Sequence, residues 1–258
     1  MLQTSVGFIG SGRVAKILLT GWARAKFMPK QVVLFDPKPE ACEALKPLGS
    51  EIQVAPGVEL AAAQDIVFLA VHPPAIAEAA AAIKPSLRAG GLLVSLSPKF
   101  TIAKLTALLD GFDRIARVIP NAPSIVGRGF NPVAFGATLT AHDRSVLGAL
   151  LKNLGDSPEV NEQHLEAYAI LSGMGPTYFW PQLYELVALG ETFGIGREQA
   201  IEAIDKMLWG SVATMRDAGI SPEQVQDLIP VKPVSDDVAA LVSAYHAKLA
   251  GLMEKIKP

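Results

Sequence analysis

The segment Gly7-Phe8-Ile9-Gly10-Ser11-Gly12-Arg13-Val14-Ala15 constrains this chain more than any other. Residues 4–9 read as a short buried strand, and Ile17, Leu18, Trp22 and Ala25 then recur at helical spacing. The two glycines therefore punctuate a strand-to-helix turn, the context that gives the G-x-G-x-x-G/A pattern its meaning. Gly10 permits the tight turn, Gly12 lets backbone amides approach a pyrophosphate alongside Ser11, Arg13 and Val14, and Ala15 lets the helix pack closely. A turn of this kind belongs to an open α/β sheet with a dinucleotide lying across the carboxyl ends of its strands.

The rest of the first half agrees. Strand-like runs at residues 32–35, 52–54, 66–71, 92–96, 115–119 and 133–135 alternate with helical or loop-like segments, which predicts a mainly parallel sheet covered on both faces. The alanine-rich run at 75–82 fits a short helix pressed against that sheet. Strand signals fade after about Ala141, and helical patterns occupy 176–193, 197–217 and 236–255, with Gly194, Gly196 and Gly219 at expected stops. The expected fold is α/β, with a Rossmann-type dinucleotide-binding domain at residues 1–155 and an all-helical dimerisation and substrate domain at 156–258. Trp180, Tyr184, Leu186, Leu189, Met207, Leu208 and Trp209 could cover a large subunit interface, predicting a homodimer or a multiple of dimers.

Composition removes several classes. A net charge of -2 without a basic run gives no purchase on nucleic acid. One cysteine, Cys42, forbids an internal disulfide, and no histidine has a second one at metal-ligand spacing, so no metal site is expected. The longest charge-free stretch, 167–184, contains Gly173, Gly175, Pro176 and Pro181, which argues against a membrane span. Met1 to Ser5 shows no export signal, so a cytoplasmic location is expected.

The carboxyl ends of the strands supply the candidate site. Asp36 ends the second run, where a carboxylate accepts both ribose hydroxyls of an adenosine and favours NAD; Lys38 could instead pair with the 2'-phosphate of NADP if Asp36 turned away. Val71-His72-Pro73-Pro74 offers a rigid wall beside a cofactor, Ser95 and Ser97 line the same crevice, and the amide of Asn121 suits a carboxamide or carbonyl. Ser172-Gly173-Met174-Gly175-Pro176 opens a long helix and forms a candidate cradle for a substrate carboxylate. Thr177, Tyr178 and His72 are the candidate proton donors.

With these segments in hand, the chain resembles the pyrroline-5-carboxylate reductase family over nearly its whole length. Gly7 to Gly12 looks like the family's opening fingerprint, Val71-His72-Pro73 like its Val-Lys-Pro, and Arg117 to Pro123 like its Arg-x-Met-Pro-Asn-x-Pro. Ser172-Gly173-Met174-Gly175-Pro176-Thr177-Tyr178 is similar to Ser-Gly-Ser-Gly-Pro-Ala-Tyr. The resemblance implies reduction of a cyclic imino acid to proline by NADPH or NADH. It departs at Ile229-Pro230-Val231-Lys232-Pro233-Val234-Ser235, where the family carries Thr-Ser-Pro-Gly-Gly-Thr-Thr for the substrate carboxylate; here Lys232 is the candidate replacement. Two alternatives stay open: reduction of another imino, keto or hydroxy acid, for which Lys152 is the nearest candidate acid or base, and a non-catalytic NAD(P) sensor.

Overall fold

A computed structural model describes residues 3–258; Met1 and Leu2, part of the segment read for an export signal, lie outside the described residues. The first half runs β1 (Ser5–Ile9), α1 (Arg13–Arg24), β2 (Gln31–Phe35), α2 (Pro39–Glu43), β3 (Ile52–Val54), α3 (Val58–Ala62), β4 (Ile66–Leu69), α4 (Ile76–Ile83), β5 (Leu92–Ser95), α5 (Ile102–Leu108) and β6 (Ile115–Val118). Then come β7 (Gly129–Phe130), β8 (Val133–Phe135), α6 (Ala141–Leu151), β9 (Gly155–Asp156) and α7 (Leu165–Tyr168). Four further helices follow, α8 (Pro176–Thr192), α9 (Arg197–Asp217), α10 (Pro222–Asp227) and α11 (Ser235–Ile256).

The main sheet has the order β3-β2-β1-β4-β5-β6-β8, parallel except for β8, which returns antiparallel to β6. This is the expected α/β architecture, and its order reverses between β1 and β4, where such sheets open a crevice at their carboxyl edge. Strands buried on both faces read as unbroken apolar runs, and one core lies on each side. On one face Phe8 stacks on Phe68 at 4.9 Å, with Trp22 of α1 edge-on to both and its Nε1 donating to the Leu150 carbonyl at 2.8 Å. Each of these buried rings contributes about 2–3 kcal/mol. On the other face, Ile76, Ala80 and Ile83 of α4 pack with Val67, Leu69 and Leu93, the role expected of the alanine-rich run. The short β7–β9 pair, which alternating hydrophobicity did not reveal, holds Asn131 and Gly129 beside the end of β6.

The chain divides into two compact units, one of residues 1–174 with 252–258, the other of 175–251. The boundary falls between Met174 and Gly175, later than the 155/156 division read from the fading strand signal. The reason is packing: Leu165 and Ala169 share a buried cluster with Ile119 and Ala134, so residues 160–170 are fastened to the sheet they follow. In the second unit α8 lies against α9, close enough that a Cβ on Gly190 would stand 3.0 Å from that of Ala200. Gly194, at φ +87°, makes the stop between them. Among residues 175–251 only Gly175, Val187, Gly190 and Ala200 are buried. Trp180, Tyr184, Leu186, Leu189, Met207 and Trp209 are all exposed. No helix of the described residues is long and apolar enough to cross a membrane.

Candidate active site

The β1–α1 turn sits where the sequence places it. Gly10 has φ +96°, and a Cβ there would meet the Ala70 carbonyl oxygen at 2.8 Å, so the turn passes too close to the end of β4 for any side chain. Its N–H donates to the Phe35 carbonyl at 2.8 Å, tying the turn to β2. The space around Gly12 is open, since a Cβ there would meet nothing within 4 Å. Gly12 caps α1 in an extended conformation and offers no side-chain cap, so the first-turn amides, among them Arg13 and Val14, face outward without helical partners. An open glycine at the positive end of a 12-residue helix is a cradle that fits a pyrophosphate.

Asp36 is brought directly to this turn. Its Oδ2 accepts the Ser11 N–H at 2.8 Å and its Oδ1 the Lys38 N–H at 2.9 Å. A carboxylate has about four acceptor sites, so each oxygen keeps capacity for a ribose hydroxyl. Beside it opens a cavity of ≈ 630 Å³ lined by Pro37, Glu43, Ile52, Val54 and Pro56, placed for an adenosine at the ends of β2 and β3. The Ser11 hydroxyl contacts the buried Cys42 thiol at 3.1 Å. Burial pushes that thiol up, against the opposing effect of the Ser11 bond.

Across the switch point, Val71, His72 and Pro73 follow β4. His72 is exposed, and its carbonyl accepts the Ala75 N–H at 2.9 Å, closing the turn that follows β4. The hydroxyls of Ser95 and Ser97, at the end of β5, are buried with no hydrogen-bond partner among the described residues. An orphaned buried hydroxyl costs about 1–3 kcal/mol, which makes Ser97 a fitting partner for a bound cofactor. Asn121 is the opposite case. Its Oδ1 accepts the Phe130 N–H at 3.0 Å and its Nδ2 donates to the Ser172 carbonyl at 3.2 Å, so the side chain bolts the end of β6 to the candidate substrate segment.

That segment has a second fastening that the sequence reading missed. Arg117 of β6 is completely buried and donates to Glu166 at 2.5 Å and to Glu162 at 3.0 Å. The same Glu166 oxygen accepts the Lys99 N–H at 2.9 Å, and Glu162 accepts that of Ile102 at 2.6 Å. Lys99 is held at φ +79°, a left-handed backbone that lysine rarely adopts. Past Glu166 the helix widens into one π turn over Ala169–Gly173, closed by the Met174 N–H on the Ala169 carbonyl at 2.9 Å. Turns of this kind are frequent at functional sites. Ser172 donates its hydroxyl to the Tyr168 carbonyl at 2.9 Å.

The remaining candidates belong to the helical unit. Pro176 takes the first position of α8 as expected, with Thr177 and Tyr178 in the first turn. The Tyr178 and Tyr245 rings lie 6.0 Å apart, and burial, with the neighbouring Tyr245, pushes the Tyr178 phenol up, which keeps it protonated. Lys232 stands in the exposed segment before α11, on the rim of an apolar hollow of ≈ 460 Å³ lined by Val225, Ile229, Val231 and Val238.

Residues 5–99 match the family described as NADP oxidoreductase, coenzyme F420-dependent. The chain is 26% identical over 252 residues to pyrroline-5-carboxylate reductase of Corynebacterium melassecola, covering 96% of this chain and 93% of that one. It is 25% identical to the Escherichia coli enzyme of the same name (88% and 85%) and 29% identical to human pyrroline-5-carboxylate reductase 2 (86% and 71%). The crystal structure of Plasmodium falciparum pyrroline carboxylate reductase with NADP bound superposes with a TM-score of 0.75 at 23% identity, covering 99% of this chain and 95% of that one.

Proposed function

We infer, from its similarity to pyrroline-5-carboxylate reductases, that this chain is an NAD(P)H-dependent reductase that converts 1-pyrroline-5-carboxylate to proline by hydride addition to the C=N bond. The observation that carries the reading is the cradle at Gly12, open where the backbone must approach a phosphate and flanked by the fixed carboxylate of Asp36. The first-turn amides of α1 with Gly10, Ser11, Gly12, Arg13 and Val14 would hold the pyrophosphate, and Asp36 the adenosine ribose. Val71, His72, Pro73 and Ser97 would border the nicotinamide. When bound, the reduced nicotinamide supplies the hydride.

The chain's own work is then positioning. A protonated imine accepts hydride readily, so orientation and carboxylate binding carry much of the catalysis without a strong acid. Ser172, Gly173, Met174, Gly175 and Pro176 would receive the substrate, with Lys232 supplying a cation for its carboxylate. Asn121 positions Ser172 through one amide hydrogen and Phe130 through its oxygen, and the second hydrogen and second lone pair of that amide would serve a ligand. Thr177, Tyr178 and His72 stay the three candidate donors; burial makes the Tyr178 phenol a weaker acid than a free one.

The exposed apolar faces of α8 and α9 support a homodimer or a multiple of dimers, in the cytoplasm, where Cys42 stays reduced. Absorbance at the reduced-nicotinamide band with pyrroline-5-carboxylate tests the activity. Turnover at an enzyme-like rate, lowered by Lys232→Ala through KM, is the expected result. Absence of turnover with both cofactors bound would remove the proline-forming reading. Light scattering at micromolar concentration should give at least twice the chain mass, and a monomer there would refute the interface.

A further inference from the structure

The sequence leaves two arrangements at the end of β2: Asp36 facing the ribose, or Asp36 turned away so that Lys38 takes a 2'-phosphate. We propose that Asp36 makes this site selective for NADH over NADPH. The proposal rests on the dinucleotide-binding part of the reductase reading and sets it apart from the Plasmodium falciparum protein, which was solved with NADP bound.

Three observations carry it. First, Asp36 is not free to turn away. Its two oxygens are held by the N–H groups of Ser11 at 2.8 Å and Lys38 at 2.9 Å, one donor from the β1–α1 turn and one from the loop of Asp36 itself. Both bonds are charge-assisted, and swinging the carboxylate out would break them together and strip the part-buried Ser11 amide of its acceptor. Second, the bond from the Lys38 amide fixes that residue's backbone as the cap of α2, while its side chain lies in solvent. Third, the cavity wall beside Asp36 carries a second carboxylate, Glu43, and the Lys46 ammonium there is already paired with it at 3.1 Å.

A carboxylate so fixed has one unused acceptor site on each oxygen, the number that a pair of vicinal ribose hydroxyls can fill. A 2'-phosphate removes one of those donors and sets a dianion against the carboxylate. Discrimination of this kind works through a repulsive element as well as an attractive one.

Equilibrium binding of NADH and NADPH, followed by nicotinamide fluorescence on the full chain, tests the assignment without requiring turnover. The wild-type protein should bind NADH more tightly by on the order of 10²-fold, the scale of a like-charge juxtaposition. Asp36→Ser should bring the ratio to unity or below, mainly by tightening NADPH. Asp36→Asn, which retains one acceptor for the amides, should do the same to a smaller degree and guards against misfolding of the serine variant. Lys38→Ala should leave the ratio unchanged. Equal or tighter NADPH binding by the wild-type protein, or loss of NADPH binding in Lys38→Ala, would overturn the proposal. NADH selectivity in a protein that does not reduce pyrroline-5-carboxylate would uphold it while refuting the substrate reading.

Discussion

Replacing Glu166 by alanine should cost the first unit about 3 kcal/mol. Glu166 is 1% exposed, and its Oε1 serves both the fully buried Arg117 guanidinium at 2.5 Å and the Lys99 N–H at 2.9 Å. Breaking a buried pair by deleting one partner typically costs 3–5 kcal/mol, because the other charge is left uncompensated. Here Glu162 remains at 3.0 Å from Arg117 and is 29% exposed, so part of the charge stays matched and the lower end of that range applies. The stranded Lys99 amide adds the cost of an unmade bond, about 1 kcal/mol or more, which keeps the total from falling much below 3. Glu166→Gln retains the oxygen and should cost only about half as much. Urea unfolding followed through Trp22, with Trp180 and Trp209 replaced by phenylalanine, reads this unit; the midpoint should fall by about 1–2 M. The double variant Arg117→Met with Glu166→Leu should be more stable than either single deletion, because no charge is then buried alone. A Glu166→Ala loss under 1 kcal/mol, or a double variant whose losses simply add, would refute the network as described.

The other predictions use the same logic on smaller features. Gly12→Ala should leave thermal stability unchanged, since its methyl meets no protein atom, yet weaken NADH binding by tenfold or more; Gly10→Ala should lower both, because its methyl collides with the Ala70 carbonyl. Calorimetry beside a cofactor titration separates the two. Asp143 is pushed up by burial, but the Thr140 N–H and hydroxyl and the Arg114 guanidinium outweigh this and hold its carboxyl below the ordinary 3.8. A depressed folded-state value gives stability that is complete above the unfolded value and is lost as pH falls below it. Asp143→Asn should therefore cost about 1–2 kcal/mol at pH 7 and progressively less below about pH 4, and denaturation midpoints across that range check the sign.

The glycine turn, the strands and the three long helices were legible because each is local: periodicity, punctuation and a strand end are all visible within a few residues. The aspartate at the end of β2 was legible for the same reason, although the choice between its two orientations needed the amides of Ser11 and Lys38 in place. Arg117 carried a signal that went unused. A guanidinium inside Ile-Ala-Arg-Val, a strand buried on both faces, demands an acid, but nothing along the chain says that the acid lies 49 residues later. The left-handed Lys99 left no trace, because the residue is no glycine and its N–H donates to a side chain distant in sequence. Asn121 was read as a ligand-facing amide, and the backbone bonds that each end of it also makes, to β7 and the π turn, left no local signal. The unit boundary was set too early for a related reason, since residues 156–174 resemble the helices after them but are fastened by the strands before them.

With the proposed dimer, the near absence of buried residues in α8 to α11 would give the two units of this protein different dependences on dilution. The first unit closes its cores within one chain, so its folding free energy is the same at any concentration. The helices hold three buried residues, Val187, Gly190 and Ala200, and present Trp180 and Trp209 to solvent, an apolar surface that the proposed second copy would cover. In the proposed dimer their persistence would follow mass action: abundant protein would keep them folded, scarce protein would let them loosen, and the amount of chain in the cell would become a term in its own stability.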